Sequence, residues 1–386
     1  MRDFNFCNPV RVHFGQNAIR HLPAELADYG PNVLLIYGGG SIKKNGIYDA
    51  VIKIMGEQKK NVFELSGVMA NPRTEKVYEG IEMVRENNID FMLAVGGGSV
   101  IDCTKAISAG SRTDKDFWET FFIGRGECQD ALPFGTILTI AATGSEMNSG
   151  GVITNWEKKI KTSYGHRRLF PKFSILDPIY TYTLPKNQMI YGAVDILSHI
   201  MEAYFSYPDD GNVSDDIAEA LTKNVIANLN VALKEPTNYH ARANLMWASS
   251  LALNGIINIG KEQDWMTHQI EHALSAFYDI PHGAGLAVVH PNYLKYVYGN
   301  APKKFVRYAA NVWQIPTAGK TEEKIALEGI GRLQQYFREI GAPTTLAEVN
   351  IPAEAIGEIA AGTNLLPGSY HPMTREDVKN VLLLCK

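Results

Sequence analysis

Cysteine is scarce in this chain: four in 386 residues, with no CxxC pair. Cys7, Cys103, Cys128 and Cys385 lie far apart. That usage excludes a zinc knuckle and a disulfide frame, and suits reduced thiols in the cytoplasm. Long apolar runs are also missing. None approaches the ~18 residues a spanning helix needs, and the opening MRDFNFCNPV lacks the apolar centre of a secretory signal. Excess charge is absent too. Lys and Arg number 37 against 41 Asp and Glu, a net charge of −4 with no basic block. Nucleic acid and anionic membrane surfaces are therefore not expected partners. What remains is an ordinary globular composition, 45% hydrophobic and 20% charged, in a chain long enough for two domains.

The first half alternates strand-like and helix-like segments. VLLIY at 33–37 and FMLAV at 91–95 are apolar, β-rich runs that end at glycines, and FGTILTIAAT at 134–143 reads as a third strand. YDAVIKIMGEQKK, VYEGIEMVRENN and VIDCTKAISAG carry helical spacing between them. This rhythm predicts a parallel sheet with helices on both faces. The pattern changes near DPIYTYTLPKNQ, where Pro185 suits a helix entry. Long amphipathic patterns follow. In SDDIAEALTKNVIANLNVALKEP, Ser214 is placed to cap a helix that Pro236 stops. Similar patterns recur around 241–256, 302–313, 322–339 and 375–385. The reading is an α/β domain over residues 1–185 and an all-α domain over 186–386.

GGGS occurs twice, at 38–41 and 96–99, each time directly after an apolar strand. Glycines at a strand's C-terminal end let a phosphate approach the backbone, and a following helix offers free N–H groups. A single such loop is often only a turn. Two in one α/β domain point to a nucleotide, although the usual GxGxxG spacing is absent.

Histidine and aspartate supply the second signal. DILSH places Asp195 and His199 four residues apart in an apolar helical stretch, so they share a face. HQIEHALSAFYDIPH carries His268, His272 and His282. A lone buried histidine is more often a core residue than a ligand. Two i,i+4 pairs of ligand type in apolar helices favour a divalent metal, and imidazole with carboxylate suits Fe(II), Zn(II), Ni(II) or Mn(II). Spacing does not choose among His268, His272 and His282, nor among the metals. HExxH is absent, which excludes the zincin protease arrangement.

Taken together, the paired glycine loops, ATGSEMN, DPIYTYTLP, AVDILSHIMEAYF and HQIEHALSAFYDIPHGAGLAVV resemble the iron-containing alcohol dehydrogenases over essentially the whole chain. Within that family they look like the butanol dehydrogenase and NADPH-dependent aldehyde reductase branch. The resemblance implies a dehydroquinate synthase-like fold, with an α/β nucleotide-binding domain followed by an all-α metal domain. It implies a metal-dependent alcohol dehydrogenase or aldehyde reductase that moves a hydride between NADP(H), or NAD(H), and a small linear aldehyde or primary alcohol. The implied ligands of one divalent ion, Fe(II) or Zn(II), are Asp195, His199, His268 and His282. His272 falls beside the metal as a candidate proton relay, with a purely orienting role as its alternative. Gly97, Gly98 and Ser99 match the pyrophosphate loop, and Gly39 and Ser41 match the loop near the adenosine ribose. Thr139 and Thr143 match positions beside the phosphates and nicotinamide ribose, and Lys161 a lysine near the adenosine ribose. Asp102 lies in the same stretch, with a first-turn helix acid as its plainer role. Trp265, Phe277 and Tyr278 flank the metal segment as candidate substrate-lining residues or as core. A homodimer is the family expectation, and the cysteine usage predicts a cytoplasmic location. A polyol dehydrogenase of the same superfamily and a metal-dependent hydrolase are the alternative activities.

Overall fold

Alternating apolar residues explain the centre of the first unit. In a computed structural model, which describes residues 1–368 and 370–386, Leu34, Ile36, Met92 and Ala94 point into one buried cluster. Val33, Leu35, Tyr37, Leu93 and Val95 point into another. Period-two alternation that is apolar on both sides belongs to a sheet covered on both faces. Among the described residues eight strands form in chain order: β1 Arg11–Phe14, β2 Asn32–Tyr37, β3 Asn61–Leu65, β4 Phe91–Gly96, β5 Phe134–Leu138, β6 Gly150–Asn155, β7 Ile160–Gly165 and β8 Phe173–Leu176. Six of them make a sheet in the order β1-β8-β5-β4-β2-β3, and every pairing in it is parallel. β6 and β7 form a separate antiparallel hairpin. The helices of this half are α1 Leu22–Leu26, α2 Ser41–Lys44, α3 Ile47–Glu57, α4 Thr74–Glu86 and α5 Gly98–Gly110.

Beyond them come α6 Lys186–Tyr204, α7 Val213–Lys234, α8 Tyr239–Leu253, α9 Met266–Tyr278, α10 His282–Val297, α11 Pro302–Trp313, α12 Glu322–Ile340, α13 Ile356–Gly362 and α14 Arg375–Leu384. Among the described residues no strand follows β8. The compact units are discontinuous in sequence. One comprises Cys7–Leu184 and Pro236–Ser250; the other comprises Met1–Phe6, Pro185–Glu235 and Leu251–Lys386. Relative to a division at residue 185, segments 1–6 and 236–250 change sides. Met246 explains the second exchange, since it is fully buried in the α/β core.

Local chemistry departs from the sequence reading at two places. The run 134–143 is a strand only as far as Leu138. There the Thr139 N–H bonds to the Gly96 carbonyl at 3.0 Å, and the chain leaves the sheet as a loop. Helix α7 is capped by Asn212, not Ser214. Asn212 is extended, and its side chain accepts from the Asp215 N–H, whereas Ser214 lies inside the helix and donates to the Ile259 carbonyl at 3.0 Å. An extended residue with a short acceptor is the better cap.

The elements that carry the histidines are apolar nearly all round. Almost every residue of α6 from Met189 onward is buried, as is α10 from Gly283 to Leu294. A helix apolar on all sides is a central helix. Accordingly α10 packs against α6, α9, α12 and α14.

Candidate metal centre and nucleotide loops

Asp195 sits mid-way along α6 and is only 3% exposed. An ionised carboxylate there is costly unless partners surround it. Three imidazoles do so. His199, one turn on along α6, brings Nε2 to 3.5 Å from Asp195 Oδ1. His268 of α9 brings Nε2 to 3.9 Å, and His282, the first residue of α10, brings Nε2 to 3.5 Å. Four donors around a divalent ion with bonds of about 2.0–2.2 Å stand roughly 3.4 Å apart in a tetrahedral arrangement. Asp195 Oδ1 and His268 Nε2 are buried and, among the described residues, have no hydrogen-bond partner. Buried polar atoms without partners, converging at ligand spacing, fit a cation. The donor set suits Fe(II) or Zn(II).

Electrostatics support the same fit. Burial tends to raise the Asp195 carboxyl, but His199, His268 and His282 outweigh it and hold it well below the usual range. Burial pushes His199 down to about 4, so its ring is neutral at pH 7. Burial also opposes charge on His268, yet Asp195 and Glu202 lift it to about 9. A place that holds a proton so firmly between two carboxylates attracts cations generally.

Backbone approach delivers the third histidine. α9 ends at Asp279, in the left-handed region at φ 51, and Pro281 precedes α10. His282 therefore begins a new helix. Its neighbour Gly283 lies against α6: a Cβ there would stand 2.1 Å from the Tyr191 carbonyl oxygen. Only glycine lets α10 come this close to the helix bearing Asp195.

His272 is buried beside the cluster. Its ring centroid is 5.8 Å from that of His282 and 6.5 Å from that of His268. Glu271, His272 and His282 also offer donor atoms within 4.8 Å of one another. Of the flanking aromatics, Trp265 stands 5.0 Å from the His268 ring and 5.9 Å from the His199 ring. Phe277 packs over Gly362. Tyr278 lines a cavity of about 670 Å³ with Tyr191, Asp279, Arg338 and Glu348, and no candidate ligand lines it. The sequence reading missed Glu202 and Glu271. His268 Nδ1 lies 2.9 Å from Glu202 Oε1, and His282 Nδ1 meets Glu271. The available signal was a carboxylate in each buried helix, three residues after a histidine, with no basic residue to pair with.

In the α/β unit, the glycine loops leave neighbouring parallel strands. Tyr37 of β2 is in register with Val95 of β4, so both loops open at the same C-terminal sheet edge, where nucleotides bind in such folds. Gly97 caps α5 in an extended conformation. A Cβ on Gly98 would meet Thr143 Oγ1 at 2.3 Å, so these two are side by side, with Ser99 next in α5. Thr139 is anchored to Gly96 through its N–H. Gly39 has open space around it, and Ser41 is exposed at the start of α2. Asp102 is committed to the scaffold: it accepts from Ser145 Oγ at 2.6 Å and from the Val152 N–H at 2.9 Å. Lys161 lies on β7 and donates to Asn71 Oδ1 at 2.9 Å. Lys43 sits 3.5 Å from Glu64 and over the Tyr37 and Tyr48 rings.

Residues 9–178 match the model of the iron-containing alcohol dehydrogenases, and residues 189–384 match that family's C-terminal model. The chain is 47% identical over 384 residues to the probable NADH-dependent butanol dehydrogenase 1 of Bacillus subtilis, covering 99% of each chain. It is 38% identical to the NADPH-dependent aldehyde reductase YqhD of Escherichia coli, covering 92% of this chain and 91% of that one. A crystal structure of NADH-dependent butanol dehydrogenase A from Thermotoga maritima superposes with a TM-score of 0.96 at 40% identity, covering 100% and 99%.

The Gly283 contact yields a direct test. Gly283→Ala is expected to lower stability by about 1–3 kcal/mol, the usual overpacking cost, and to lower metal content in the same preparation. Gly357→Ala is the control, since a Cβ there meets nothing within 4 Å. Denaturant melts with metal analysis of both variants decide it; a Gly283→Ala protein as stable and as metal-loaded as wild type would refute the close-approach argument.

Proposed function

The chain belongs to the iron-containing alcohol dehydrogenase family, and on that premise we propose that it is a metal-dependent alcohol dehydrogenase and aldehyde reductase, moving hydride between a nicotinamide nucleotide and small linear aldehydes or primary alcohols. The observation that carries this reading is the convergence of three imidazole Nε2 atoms on Asp195 Oδ1. Asp195, His199, His268 and His282 would hold one divalent ion, Fe(II) or Zn(II). Such an ion, when bound, supplies Lewis acidity to the substrate oxygen. The chain's own groups do the rest. Backbone N–H groups at Gly97, Gly98 and Ser99 bind the pyrophosphate, with Thr139 and Thr143 beside it and Lys161 toward the ribose. His272 holds the exchanging proton on an imidazole nitrogen, a group suited to titrate near neutral pH.

Relatives named for NADH and for NADPH both support a nicotinamide cofactor. Our finer proposal is NADP(H) over NAD(H). It rests on Gly39, where no side chain opposes a 2′-phosphate and the surrounding space is open. Ser41 can donate to that phosphate. Lys43 lies 3.5 Å from Glu64 in the same region. The sparing cysteine usage supports a cytoplasmic enzyme, and among the described residues no helix is long and apolar enough to cross a membrane. Fractionation of the native host tests that location, and sedimentation tests the homodimer expected of the family.

Three outcomes test the reading. His268→Ala is expected to lose metal and turnover together, whereas His272→Ala keeps its metal and loses rate; the reverse pattern in metal analysis would exchange their roles. Each methylene buried by a substrate contributes about 0.8 kcal/mol, so kcat/KM is expected to climb over the first few carbons of an aldehyde series. A flat profile or a preference for glycerol would refute the apolar substrate class. For the nucleotide, one charge-assisted hydrogen bond is worth roughly 1.5–3 kcal/mol. Gly39→Asp should therefore cut the NADPH/NADH ratio of kcat/KM by at least about tenfold, mainly through KM. A wild type that favours NADH, or a ratio unmoved by the substitution, would remove position 39 from the argument.

A further inference from the structure

We infer that Glu202 and Glu271 are positioning residues, which set the ring orientation and tautomer of two of the histidines; this inference rests on the metal reading above. Each glutamate is buried, at 2% and 0% exposure, and neither belongs to the proposed ligand set. Glu202 Oε1 accepts from the His268 N–H at 3.1 Å and faces His268 Nδ1 at 2.9 Å. Its Oε2 accepts from the Trp265 N–H at 2.8 Å. A carboxylate only accepts, so Nδ1 carries a proton toward Glu202, and Nε2 is the nitrogen left to face Asp195 and to give its lone pair to a bound cation. Glu271 does the same for His282: it faces His282 Nδ1 and is steadied by Ser275 Oγ. The fold makes room for it, because a Cβ on Gly285 would stand 2.8 Å from Glu271 Cγ.

The Glu202 clamp also holds a strained turn. Trp265 has φ 67, a region that bulky residues rarely enter and that persists only when surroundings impose it. Glu202 imposes it at both ends, through its side chain on Trp265 and through its carbonyl, which accepts from the Asp264 N–H at 3.0 Å. Among the described residues His199 has no such partner at Nδ1. Instead its ring stacks on that of His268 at 4.8 Å and 14°. Glu202 thereby orders one ring directly and a second through the stack.

The test uses the full-length protein stripped of metal and titrated with Zn(II) against a competing chelator, and with Co(II), whose visible bands report ligand geometry. Glu202→Gln and Glu271→Gln preserve size and remove the charge. Glutamine also turns an NH2 toward one of the N–H donors. Each variant is expected to bind Zn(II) about 10–100-fold more weakly and to give altered Co(II) bands, with the metal-free Tm changed far less than the affinity. Glu202→Asp, which keeps the charge, should recover part of that affinity. Zn(II) affinity within twofold of wild type and unchanged Co(II) bands in a folded variant would overturn the inference. If Glu202→Gln does not fold, Glu271→Gln and Glu202→Asp decide by the same readouts. A wild type that binds no divalent metal would instead sink the metal reading itself.

Discussion

A carboxylate cut off from water organises the helical unit. Burying the Asp195 charge costs several kcal/mol unless opposite charge and hydrogen bonds replace its hydration. The unit meets that demand by bringing side chains of three helices to one oxygen. α6 provides His199 one turn from Asp195, and α9 provides His268. α10 starts at the residue that completes the set, and its second residue is a glycine because the α6 backbone is in the way. Two further buried carboxylates, Glu202 and Glu271, then add negative charge behind the rings. Three acids around three imidazoles are a poor core for a protein with nothing to bind there. They make sense as the surroundings of a divalent cation.

The α/β unit solves the opposite problem with a buried cation. Lys105 on α5 is 1% exposed, and burial pushes it down to about 8. It donates to the Ser145 carbonyl and hydroxyl, to Asn148 Oδ1 and to the Gly150 carbonyl, all within 2.8 Å. Asp102, three residues earlier, takes Ser145 Oγ and the Val152 N–H. Both residues therefore tie the loop 143–150 to α5, the helix whose first turn bears Gly98 and Ser99. For Asp102 this scaffold role is visible in the bonds themselves.

Much of this was legible because the relevant signals are local. A strand ending in glycines shows itself as VLLIYGGGS and FMLAVGGGS, and an apolar helix with an Asp and a His at i,i+4 shows itself as DILSH. Where the determinant was distant, the sequence stayed silent. β1, β3 and β8 are short, and what makes them strands is their neighbours in the sheet. The hairpin β6–β7 carries no strong turn signal, since its turn is WEKK. Ser214 looked like a cap because it precedes two acids, but Asn212 has the extended backbone that capping requires. Met246 reads as part of a helical stripe, and nothing local says which unit it will join.

The choice among His268, His272 and His282 shows the limit most clearly. Four residues along a helix rise about 6 Å, well beyond donor spacing, so an i,i+4 pair converges on one ion only if both side chains lean toward it. Asp195 and His199 do lean together, with 3.5 Å between donor atoms. His268 and His272 do not: their rings stand at 89° with centroids 6.5 Å apart. One helix thus directs only His268 at Asp195 Oδ1, and the third imidazole near that oxygen comes from a separate element. The break at Asp279 and Pro281 provides it, by starting a new helix at His282. Spacing treats the two pairs as equivalent; the direction of each side chain, set by Glu202 on one ring and Glu271 on another, separates them.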